Sequence, residues 1–104
     1  MNFFQVVDND LSDSVYDRGI ATAGVDFEIV GGDSLEDRYA FEQMNKTLLE
    51  RIYSVSRNLY GEHADGMHRA KISTRIYDSK DGPFRQRRAT LTVSGTVYKC
   101  VPSV

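Results

Sequence analysis

The stretch from Asp33 to Gly61 constrains this chain more than any other. Asp33 and Ser34 are both natural helix N-caps, since a short side-chain oxygen can accept one of the orphan backbone N–H groups. Glu36 stands three residues after Asp33 and Asp37 three after Ser34. Either cap therefore opens a capping-box-like turn, and its carboxylates suit the positive helix terminus. Phe41, Met44, Leu48, Ile52, Val55 and Leu59 then recur at steps of three and four, which makes one apolar stripe. Leu49, Tyr53 and Tyr60 widen it on one flank, and Gly61 suits the position just past a helix end. The spacing predicts a helix of about seven turns. A helix that long needs a second layer to cover its stripe, and the remaining residues must supply it.

They read as strands. Phe3-Phe4-Gln5-Val6-Val7 is a short apolar run. From Ile20 to Val30, Ala21, Ala23, Val25, Phe27 and Ile29 share one face, and Asp26 and Glu28 share the other. After the helix, Ala70, Ile72, Thr74 and Ile76 alternate with Arg69, Lys71, Ser73 and Arg75. The segment "DSKDGPF" has the chemistry of a hairpin loop. In the next run Ala89, Leu91, Val93 and Val97 oppose Thr90, Thr92, Ser94, Thr96 and Tyr98, with Gly95 marking a bulge or a close backbone approach. The order is β-β-α-β-β. The expected fold is α+β: a single small domain over residues 1–104, with a mostly antiparallel sheet and one long helix packed on one face. At 104 residues, with 40% apolar and 27% charged residues, the chain has the size and composition of one globular domain. One helix covers only part of a four-stranded sheet, so apolar surface is left over for a homodimer contact or another protein.

The stretch "GEHADGMHRA" gathers both histidines with Glu62 and Asp65. His63 and His68 lie five apart across a turn, which is neither the spacing nor the setting of a helical zinc motif. Gly61 stops the helix and Asp65-Gly66 turns the chain, so the stretch is a connection. His68 is then the outermost member of a basic strand, where protonation would add charge below about pH 6.5. "DNDLSDS" places Asp8, Asp10 and Ser12 like calcium-loop ligands, but Asp13 stands where the loop needs glycine and Gly19 where it needs glutamate. It reads as an acidic turn. Cys100 is a single thiol with no paired base, which excludes an internal disulfide. No phosphate loop, nucleophile elbow or dinucleotide fingerprint is present. No catalytic residue, metal ligand or cofactor is expected.

Charge layout carries the functional signal. Residues 1–50 hold 11 Asp/Glu and three Lys/Arg, whereas residues 51–104 hold four Asp/Glu and ten Lys/Arg. Arg69, Lys71 and Arg75 on one strand, with Arg85, Arg87 and Arg88 on the next, are candidates for contacting nucleic acid or an acidic partner. Tyr77, Phe84 and Tyr98 could stack on bases. Asp26 and Glu28 could instead neutralise these cations within the sheet. The reading favoured is a non-enzymatic protein-interaction, regulatory or inhibitor module, cytoplasmic and oligomeric, with Leu49, Tyr53, Tyr60, Asp26 and Glu28 at the protein interface. In size alone it compares with small phage-type inhibitors. Binding of RNA or single-stranded nucleic acid through the basic hairpin is the alternative. No apolar run is long enough to span a membrane, and the N-terminus lacks the features of a secretory signal.

Overall fold

The computed structural model describes residues 4–31, 34–81 and 84–101. The long helix, α1, runs Leu35–Tyr60. Ser34 is its N-cap and accepts a hydrogen bond from the Asp37 N–H at 3.1 Å. The alternative cap, Asp33, lies outside the described residues. Gly61 follows the last turn at φ 61°, a left-handed conformation that favours glycine, and donates its N–H to the Arg57 carbonyl. A short 3₁₀ turn, Gly61–His63, leads onward.

Four strands make one sheet. They are β1 (Gln5–Val6), β2 (Val15–Ile29), β3 (Gly66–Asp81) and β4 (Phe84–Cys100), in the order β1-β3-β4-β2. β1 pairs parallel with β3, and the other two pairings are antiparallel. All three long strands exceed expectation. β2 starts at Val15 rather than Ile20, because the β4 ladder continues past a register shift at Asp17/Gly19. β3 starts at Gly66 rather than His68, and the hairpin strands run on to residues 81 and 84. The residues joining them, 82–83, lie outside the described set.

The core lies between α1 and one face of β2 and β4. Ala21, Ala23, Val25, Phe27 and Ile29 from β2 meet Ala89, Leu91, Val93 and Val97 from β4, with Leu48 and Ile52 of the helix above them. Phe27 and Phe41 meet edge to face at 5.1 Å. The helix stripe is narrower than the three-four spacing implies. Its fully buried line is Leu48, Ile52 and Ser56, while Leu59 is 59% exposed.

What fixes the helix over β2 is a row of polar links along that strand. The Asp37 carboxylate, itself buried, accepts from the N–H groups of Val30 and Gly31 at 2.8 and 2.7 Å. Arg51 donates to the Gly24 carbonyl at 2.9 Å, and the Tyr60 hydroxyl donates to the Ile20 carbonyl at 3.0 Å. The helix, about 39 Å long at 1.5 Å per residue, is thus held along the β2 edge. The molecule measures 61 × 25 × 24 Å, and β3 and β4 continue pairing past the last β2 pair, Ile29 with Arg87.

Candidate functional site

Held over β2, the helix leaves β3 largely uncovered beyond Ala70. Ile72, Thr74 and Ile76 pair with Val93, Leu91 and Ala89, which puts them on the helix-side face of the sheet. Their β4 partners are buried, yet Ile72 and Ile76 are each 54% exposed. The apolar alternation of this strand is genuine, but the layer expected to bury it stops short.

The edge of β3 is open over the same residues. The N-terminal segment runs beside β3 only to its first turn: the Val7 N–H donates to the Met67 carbonyl, Arg69 N–H to Asn9, and Ala70 N–H to Val7, at 2.9–3.0 Å. From Lys71 to Asp81 no strand lies beside it among the described residues. An unpaired strand edge is a template for another strand.

A bulge separates the covered part of β3 from the open part. Arg69 and Ala70 together oppose Gly95, since His68 pairs with Thr96 and Lys71 with Ser94. Arg69 adopts φ 53°, rare for a residue with a side chain. A β-carbon on Gly95 would lie 2.6 Å from Met67 Cγ and 3.0 Å from Ala70 Cα, so the approach requires glycine.

The bulge also decides the fate of His68, which is fully buried and no part of a basic binding face. Its Nδ1 accepts from the Leu11 N–H at 3.0 Å, so Nε2 carries the proton and donates to Asp17 at 2.7 Å. Both ring nitrogens are committed. Arg69 turns onto the same cluster, donating to Asp17 at 2.9 Å and Ser12 at 3.0 Å. Asp10 accepts from the N–H and hydroxyl of Ser12, which, ahead of Arg69 and His68, hold its carboxyl below the usual range. "DNDLSDS" is therefore an acidic turn, tied to the start of β3 by the Asn9 carbonyl, the Leu11 N–H and the Ser12 hydroxyl. Among the described residues, no group of three or more His, Cys, Asp or Glu could hold a metal ion.

The six basic residues do not form one surface. Lys71, Arg75 and Arg88 lie on the face away from the helix, whereas Arg85 and Arg87 lie on the helix side beyond Ala89. Arg69 is tied into the bulge. Arg88 donates to Asp26 at 2.5 Å, and Tyr77 and Thr90 donate to the same carboxylate. These bonds, Tyr77 first, hold the Asp26 carboxyl down at about 2. Arg87 approaches Asp78 at 3.9 Å. Lys71, Arg75 and Arg85 have no carboxylate partner among the described residues, and Arg75 lies over the Tyr77 ring at 5.5 Å. Asp26 thus links β2, β4 and β3 within the sheet. Glu28 lies beside it on that face, exposed.

Of the apolar interface candidates, Tyr53 packs edge to face on Phe4 at 5.5 Å and Tyr60 bonds β2, so both serve the fold. Leu49 stays 45% exposed on the outer helix surface. Tyr98 is buried, and desolvation raises its hydroxyl above the usual range, so it offers no stacking surface. Cys100 is exposed, yet desolvation by its neighbours and then Asp65 push its thiol up, away from a reactive thiolate. Sequence reasoning missed the β3 edge. Its signal was present, an apolar alternation longer than the helix could cover, but only the helix position shows which strand is left bare.

No family model matches the chain. No curated protein matches it. A solved structure does: a protein of unknown function from Pediococcus pentosaceus ATCC 25745, belonging to the DUF74 family. It superposes with a TM-score of 0.69 over 94% of this chain and 98% of that one, at 11% identity. At that identity the likeness is one of fold. No helix among the described residues is long and apolar enough to cross a membrane.

Proposed function

We infer that this chain is a non-enzymatic protein-interaction module that works by accepting a strand on the β3 edge. One observation carries the reading: from Lys71 to Asp81 the edge is unpaired among the described residues, and Ile72 and Ile76 are half-exposed beside it. Backbone groups on such an edge supply affinity, and alternate side chains supply selectivity. The test is co-purification from host lysate with wild type and with Ile72→Glu/Ile76→Glu. A partner bound by wild type and lost from the variant supports the reading. A partner retained at equal yield overturns it.

Nucleic-acid binding is the weaker reading. It is favoured by Lys71 and Arg75 on one exposed face, with the Tyr77 ring under Arg75. Against it, Arg69 and Arg88 are neutralised by Asp17 and Asp26. Phosphate-tracking proteins lose affinity steeply with salt. A gel shift at 50 and 200 mM salt that fails to depend on Lys71 and Arg75 removes this reading.

A further inference from the structure

We propose that the occupant of the β3 edge is a second copy of the same edge, paired antiparallel about a two-fold axis through Ile76. The proposal rests on the strand-accepting reading above and names its partner.

Backbone direction comes first. In an antiparallel ladder, successive residues point their N–H and C=O to opposite sides. The Ile20 and Gly24 carbonyls point away from β4, toward Tyr60 and Arg51. Odd-numbered β2 residues therefore face β4. The registers carry this alternation across the sheet: Ala23 pairs with Val93, and Lys71 with Ser94. Odd residues of β3 face β4, which leaves Ile72, Thr74, Ile76, Asp78 and Lys80 with backbone groups directed at open space. The Ala70 N–H, bonded outward to Val7, agrees with this assignment.

Edge length then sets the register. The free window runs from Lys71, just past the N-terminal segment, to Asp81, just before the hairpin tip. Two copies related by a two-fold share that window fully only if the axis passes through its middle residue, Ile76. Centring on Thr74 would drive each tip into the partner's Val7–Asn9 segment. Centring on Arg75 would set two guanidinium groups opposite each other, and centring on Tyr77 would set Ile76 against the partner's Asp78.

The side chains agree with the Ile76 register. Directly opposed residues share a face and interact. Ile76 then meets the partner's Ile76, and Thr74 meets the partner's Asp78. On the other face, Arg75 meets the partner's Tyr77 and Ser73 meets the partner's Ser79. Arg75 already lies over Tyr77 within one chain, so the pairing extends an existing cation–π contact across the axis. Self-pairing at β2 is disfavoured, because helix side chains already occupy its outer edge at Ile20, Gly24 and Val30.

The test has three arms. Sedimentation equilibrium of wild type gives twice the 11.8 kDa chain mass; a monomer at all concentrations, or a trimer or larger ring, overturns the proposal. Cysteine pairing reads the register: in a Cys100→Ser background, Ile76→Cys oxidises to a covalent dimer, since facing Cα atoms about 5.5 Å apart lie within disulfide reach. Dimer formation through Thr74→Cys but not Ile76→Cys overturns the register. Thr74→Pro removes an N–H that has no partner among the described residues, so it keeps the circular-dichroism spectrum while abolishing the dimer. A wild-type monomer that still captures a foreign partner through Ile72 and Ile76 refutes the second copy and leaves the strand-accepting reading standing. A dimer indifferent to Thr74→Pro refutes the second copy on this edge, and the Ile72→Glu/Ile76→Glu test then decides the strand-accepting reading.

Discussion

Arg69 and Gly95 face each other across the bulge, and each tolerates the conformation the other needs. Gly95→Val would force a branched side chain against Met67 and the Ala70 backbone. The expected cost is about 1–3 kcal/mol, as for overpacked cores, measured as a shift in urea midpoint. His68→Ala is expected to cost about 2–4 kcal/mol in the same assay, because it opens a cavity and strands the Leu11 N–H, while Asp17 keeps its bond to Arg69. Gly95 was legible in the sequence as a bulge or a close approach, since a lone glycine in an alternating strand has few other uses. Which residues bulge opposite it, Arg69 and Ala70, was not. Nothing in "MHRAKI" marks Arg69 for a left-handed conformation, and the register shift that follows sets His68 on the face of Thr96 and Lys71, where Leu11, Asp17 and Tyr98 pack against it.

Among the elements, the helix was almost wholly readable: its cap, stop and stripe are local signals. Its position over the sheet was not, because three polar links set it. Asp37, expected as a capping-box partner of Ser34 and a favourable charge in the first turn, also holds the exit of β2 through two backbone N–H groups. Asp37→Ala should cost about 2–3 kcal/mol, the range for hydrogen bonds to a charged group left unmade. Hydrogen exchange offers the check, with faster exchange at Val30 and Gly31 as the expected result. Strand alternation likewise revealed which residues share a face. It could not reveal which face would stay bare, since that depends on where a helix from elsewhere in the chain comes to rest.

For the whole molecule, the split between an acidic and a basic half resolves only in part inside the fold, at Arg69 and Arg88. Asp26 gathers Arg88, Tyr77 and Thr90 across three strands, and Asp17 holds Arg69. The Asp26 carboxyl, held at about 2 in the fold, titrates near 3.9 once unfolded. Its contribution is therefore complete above about pH 4 and disappears as pH falls toward 2. Urea midpoints at pH 5 and pH 3 should diverge more for wild type than for Asp26→Asn. The links from Asp37, Arg51 and Tyr60 have a consequence at this scale too. A sheet with two free edges can add strands without limit, the geometry of a fibril. Here the helix side chains occupy one edge in part, and pairing through the other consumes it. A two-fold assembly built this way is self-terminating: the contact that recruits a second chain removes the template for a third.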